Sequence, residues 1–187
     1  MKIVSFISAN CDLLRQLSEV LARIDSDSYG LHHDKIFDSS VGGHVRHILD
    51  HYENFVAALF GSYPIDEAND TELAFCERPM VNYDHRLRER EIELNPLVAN
   101  SRIAQMIEIL EVKMPRSDIE LDIILQIDLA PDSALQASTL ARELSFLYSH
   151  TVHHMAILSY IFKATEVEGL PHDFGIAPST ISFRRAI

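Results

Sequence analysis

The sequence predicts a mainly all-α protein, a four-helix bundle with a small β-hairpin inserted between helices 3 and 4. Three observations carry this. Four stretches repeat apolar residues every three or four positions, one stretch switches to alternation with mostly polar neighbours, and Pro64, Pro79 and Pro115 fall in the connections between them. At 187 residues the chain suits one domain, 1–187, and is long enough to bury a sizeable core.

The first helix is expected over about 2–24, with Ile3, Phe6, Ile7, Leu13, Leu14, Leu17, Val20, Leu21 and Ile24 as its stripe. The second, about 40–60, starts at "DSSVGGHVRHILDHYENFVAALF", where Ser39 or Ser40 is the N-cap and Val41, Val45, Ile48, Tyr52, Phe55 and Leu59 form the stripe. Gly42 and Gly43 are poor helix formers in its first turn, so something other than propensity wants a bare backbone there. The connection 61–94 is long for a loop, which points to function or to short hidden helices. The third helix, about 96–113, stops before Pro115. In "DIELDIILQIDLAPDSALQAST" Ile119, Leu121, Ile123, Leu125, Ile127 and Leu129 alternate and "APDSA" turns, giving a hairpin over about 118–138. The fourth helix covers about 139–165, and the Gly- and Pro-punctuated tail wraps the surface.

Composition excludes several classes. A formal net charge of −12 is wrong for a nucleic-acid backbone and for an anionic membrane surface, so neither is an expected partner. No segment approaches the roughly 20 apolar residues that cross a bilayer. The opening "MKIVSFISANC" has too short an apolar run for a secretion signal, and a cytoplasmic location is the expectation. Cys11 and Cys76 form no CxxC, which excludes a zinc ribbon and fits a reducing compartment.

The ten histidines concentrate in "LHHD", "GGHVRHILDHY" and "SHTVHH". His150 and His154, four apart, share a helix face and can bind one ion together. His153 sits roughly 100° from His154 around the axis and reads as a solvated residue. The motif lacks the glutamate after its first histidine that a zinc protease uses as base, so that chemistry is not expected. Two ligands hold a metal weakly, and a third should come from the second helix. Against its stripe His44 is nearest the core, His51 marginal and His47 further out, and the residues alone leave the choice among the three open.

These motifs resemble those of the DinB/YfiT-like superfamily of four-helix-bundle metalloproteins. Its first-ligand motif, Ser-apolar-x-x-x-apolar-x-His-apolar, is matched by "SVGGHVRHI" with Ser40 at its head and His47 in the ligand position, and its HxxxH by His150 and His154. The resemblance covers most of the chain. It implies a divalent metal (zinc, nickel or iron) held by His47, His150 and His154, with positions open to a small-molecule substrate. It also implies chemistry of the kind done by relatives that transfer a low-molecular-weight thiol, and a possible homodimer. The alternative is a non-enzymatic metal-binding or stress-related bundle.

Supporting roles are open to His44, His51 and Glu143 as acceptors or neighbours of the ligands, while Asp50 reads as a solvated carboxylate. In "VNYDHRLRERE", Tyr83 and Arg86, with Arg88, either reach over the bundle mouth to grip an anionic substrate or form a charged surface turn.

Overall fold

The computed structural model describes residues 3–32, 39–61, 78–114, 121–129, 132–165, 167 and 169–186. Four long helices carry the apolar stripes. They are α1 (Ile3–Leu21), α3 (Val41–Phe60), α5 (Pro96–Glu108) and α6 (Leu140–Ala164), and α1 and α3 each pack against both α5 and α6. One continuous core results, with Leu14, Leu17, Ile48, Leu49, Phe55, Ile103, Leu144, Leu147 and Phe162 buried in it. Among the described residues no helix is long and apolar enough to cross a membrane.

Local chemistry sets the helix ends. Ser40 caps α3, its hydroxyl accepting from the Gly43 N–H at 3.0 Å, so of the two candidate serines it is the cap. Gly61 ends α3 at φ 84°, a left-handed conformation that suits a residue without Cβ. Asn95 caps α5 ahead of Pro96, and Thr139 caps α6. The third helix is α-helical only to Glu108 and finishes in a π-helical turn over Ile109–Lys113.

Four short elements depart from the expectation. The first helix stops at Leu21, because Asp25 caps a separate turn, α2 (Ser26–Gly30), by accepting from the Ser28 N–H at 2.8 Å. The long connection contains a strand, β1 (Met80–Asn82), and a helix, α4 (Arg90–Leu94). The tail contains α7 (Pro178–Arg185), with Pro178 in its first turn. The expected hairpin forms from β2 (Asp122–Leu129) and β3 (Asp132–Thr139), antiparallel with Asp122 opposite Thr139 and Leu129 opposite Asp132. The expected start of the hairpin at 118–120 lies outside the described residues. β1 joins β2 in parallel, with Val81 opposite Leu125, and makes the hairpin a three-stranded sheet. Val81, Ile123 and Leu125 are buried, and β1 packs against α3.

Gly42 explains itself in this frame. A Cβ there would overlap the Glu93 carbonyl and the Tyr29 ring, so the bare backbone lets α2 and α4 sit against the first turn of α3. The Tyr29 hydroxyl, donating to the Ile92 carbonyl at 2.8 Å, ties those two short helices together. Helix propensity alone would make Gly42→Ala stabilising by about 1 kcal/mol. We expect the reverse, a loss of about 1–3 kcal/mol from overpacking, read from urea unfolding. Equal or greater stability would contradict the close approach.

Candidate metal centre

α3 and α6 face each other along a run of imidazoles. His44, His47 and His51 come from α3, and His150 and His154 from α6. His47 Nε2 lies 3.2 Å from His150 Nε2. His51 stacks on His150 with ring centroids 4.0 Å apart. One ring nitrogen each from His47, His51 and His150 falls within 4.8 Å of the other two, close enough to hold a metal ion. Among the described residues no cysteine or carboxylate joins that group. His154 is beside it, its centroid 4.6 Å from His47 and 4.5 Å from His150, but its Nδ1 faces His44 Nδ1 at 3.1 Å. His153 is exposed, as its position around the helix predicts.

The set brought together therefore overlaps the one implied by the resemblance at His47 and His150. The structure adds His51 and places His154 one ring away. His51 is also the most buried of the α3 histidines, at 6 % exposure, whereas the apolar stripe favoured His44. The cause is stacking on both sides, by His150 at 4.0 Å and by Tyr83 at 5.2 Å. The sequence did hold a signal for His51: it lies four residues after His47, the same spacing as His150 and His154.

Hydrogen bonds fix which nitrogens are available. His51 Nδ1 is 2.9 Å from the His47 carbonyl, which can only accept, so the hydrogen sits on Nδ1 and the Nε2 lone pair is free. A histidine tied to a backbone carbonyl in this way is set up as an Nε2 ligand. His150 Nδ1 is buried with no hydrogen-bond partner. Two nitrogens bound to one tetrahedral ion lie roughly 3.3–3.4 Å apart, and the His47–His150 pair stands close to that spacing. The residues are spaced to hold a metal ion.

The remaining candidates are placed differently from expectation. Glu143 is fully buried but touches no imidazole; it accepts from the Tyr83 hydroxyl at 2.8 Å, from Ser138 and from Arg142. It orients Tyr83 and reaches the centre only through the stack on His51. Asp50 is not solvated. At 3 % exposure it binds Arg46 at 2.7 Å and the Arg88 N–H, because the 83–89 segment folds down over it. That segment is only partly a surface turn, with Asp84, His85, Leu87 and Arg88 exposed. Tyr83 is buried, and Arg86 points inward, its Nη1 2.9 Å from His47 Nδ1. Arg88 adopts φ 53°, a left-handed conformation costly for a residue with a Cβ. Cys11 is free and buried, its thiol pushed up to about 11 mainly by burial, so it is no nucleophile. Cys76 lies outside the described residues.

Electrostatics keep the imidazoles neutral. Burial, then neighbouring imidazoles and Arg86, hold His47 at about 2 and His150 at about 3. Burial and the adjacent histidines hold His154 at about 4. His44 and His51 are lowered too, chiefly by burial. Neutral imidazole is the form that binds metals.

Comparison of the chain with protein-family models, with curated proteins and with solved structures finds no match in any of the three.

The depressed histidines set a pH dependence for the metal-free protein. Each takes up its proton near 6.5 when unfolded but resists it when folded, so the unfolded chain binds more protons once the pH falls below about 6.5. Stability is therefore complete above that pH and declines beneath it. Buried Glu53, raised to about 7, and Asp50, also raised, both chiefly by desolvation, work in the opposite sense, but they are two carboxyls against His44, His47, His51, His150 and His154. The unfolding temperature should fall from pH 7.5 to pH 5, and by less in His150→Phe. A wild-type midpoint that is flat or rising toward pH 5 would show that the imidazoles are not held neutral.

Proposed function

We propose that this chain is a metal-dependent protein of the DinB/YfiT-like four-helix type. It holds a divalent ion (zinc, nickel or iron) on three histidines and acts on a small-molecule ligand, with transfer of a low-molecular-weight thiol as its reaction. The observation that carries the metal reading is the approach of His47 Nε2 to His150 Nε2, with the Nε2 of His51 freed beside them. The pairing of α1 and α3 with α5 and α6 supports the bundle assignment, and the motif match supports the family.

Two ligand sets share His47 and His150. Geometry favours His51 as the third member, through its hydrogen bond to the His47 carbonyl. The HxxxH spacing favours His154, whose ring borders both shared ligands. In either set a coordination position is left for a ligand, which favours a reactive centre over a closed structural site. When bound, the ion would supply Lewis acidity, which makes a coordinated thiol or water a much stronger acid. The protein supplies the rest. Tyr83 and Phe146 wall the histidines against water, their rings 4.8 Å apart.

Elemental analysis of gently purified protein should find about one divalent ion per chain, since three imidazoles and an open position suit a single ion. His47→Ala and His150→Ala should abolish retention. Of His51→Ala and His154→Ala, the variant that loses the ion identifies the third ligand. Metal no higher than trace in wild type, or undiminished in His47→Ala, would refute the metal reading. A panel of small thiols with electrophiles, followed by thiol consumption in the loaded protein, then tests the transfer. Consumption no faster than in buffer leaves a metal-binding protein without that activity.

A further inference from the structure

Arg86 is the one described guanidinium that ends on the histidines. Arg46 is paired with Asp50 and Glu93, and Arg102 with Glu53 and Glu89. Among the described residues Arg86 has no carboxylate within ion-pair distance; its Nη1 rests on His47 Nδ1, and its buried Nε has no hydrogen-bond partner. A half-buried cation on a cluster of neutral rings is poorly compensated, since a guanidinium seeks a planar anion that can take two of its N–H groups.

Hydrogen bookkeeping shows why the contact cannot survive metal loading. Arginine only donates, so Nδ1 of His47 accepts and the ring's own hydrogen sits on Nε2, toward His150. Coordination of a neutral imidazole through Nε2 requires that hydrogen on Nδ1 instead, where it would meet the Arg86 N–H across 2.9 Å. Coordination through Nδ1 would displace Arg86 outright. Either way a metal on His47 and Arg86 on His47 exclude each other.

We infer that Arg86 is the anion-binding residue of the centre. Metal loading releases its guanidinium from His47, and the freed side chain takes the carboxylate of a small anionic ligand that occupies the open coordination position. The ligand class is thus a small carboxylate, including a thiol that carries one. This rests on the three-histidine metal reading and deepens it by naming the ligand's charge and its second anchor. It also makes ion and anion cooperative, because the ion removes the imidazole that competes for the guanidinium.

The test uses the full chain as wild type, Arg86→Met and Arg86→Lys. Zinc affinity is measured by competition with a chromophoric chelator. Acetate and mercaptoacetate binding is measured on the cobalt-loaded proteins from their visible absorption. Arg86→Met should bind zinc at least as tightly as wild type, having lost a competitor for His47, yet bind acetate about tenfold or more weakly. Arg86→Lys should recover part of the acetate affinity, since it restores the charge without the fork. Weaker zinc binding in Arg86→Met would overturn the inference by showing that Arg86 supports the ligand. Unchanged acetate affinity in a normally loaded Arg86→Met would overturn it alone and leave the metal reading standing. A wild type that takes up neither zinc nor cobalt fails the metal reading itself, and this inference with it.

Discussion

The register of the imidazoles on α3 and α6 depends on one buried polar knot between α1, α3 and α6. The Tyr52 hydroxyl donates to Asn10 Oδ1 at 2.6 Å and lies 3.2 Å from Thr151 Oγ1, while Asn10 Nδ2 reaches the Leu144 carbonyl at 3.0 Å. All three side chains are fully buried, so each lost partner would leave an unsatisfied group away from water. Apolar stripes alone allow helices to slide by a turn with little change in burial. A buried asparagine that accepts from α3 and donates to α6 does not. Tyr52 is the residue after His51, and Thr151 is the residue after His150. The register that satisfies the knot is therefore the register that stacks His51 on His150.

A second set of interactions holds the 83–94 segment over that stack. Arg46 of α3 spans Asp50 of its own helix and Glu93 of α4, and Arg102 of α5 spans Glu53 of α3 and Glu89 at the edge of α4. Buried ion pairs of this kind add little net stability, because desolvation offsets most of the attraction. They are well suited to specifying position, since a misplaced segment would leave Asp50 or Glu53 buried without its cation. The segment's inward residues inherit that position: Tyr83 over His51, anchored by Glu143, and Arg86 on His47. The acidity of the chain is thus only partly a surface property.

Periodicity carried the long elements because burial repeats with the helix turn. The stripes of α1, α3, α5 and α6 and the alternation of β2 are local statements about which face is apolar. What periodicity could not show is pairing at a distance. β1 is three residues long and is a strand only because β2, some forty positions later, lies beside it. His51 read as marginal because its own helix faces it away from the stripe; His150 and Tyr83, from other segments, bury it. Asp50 read as a solvated carboxylate for the same reason, and Arg86 was open to either an inward or a surface reading. Gly42, in the first turn of α3, was the exception, a local oddity that did report a distant contact, with α4 and Tyr29.

The choice of residues at the α3–α6 interface argues for chemistry over stability. Five imidazoles packed ring to ring satisfy one another incompletely, leaving His150 Nδ1 buried and unpaired and a guanidinium resting on a neutral ring. Leucine and phenylalanine would fill the same volume with no polar atoms to satisfy and no sensitivity to acid. The rest of the interface uses such residues, with Ile48, Leu144, Leu147 and Phe55 buried beneath. A local breach of packing logic, held in place by a satisfied knot on one side and a clamped segment on the other, is what a pre-formed ligand site requires. The uncompensated Arg86 guanidinium and the inward ring lone pairs are then unmet demands that a bound cation and its anionic co-ligand would satisfy together.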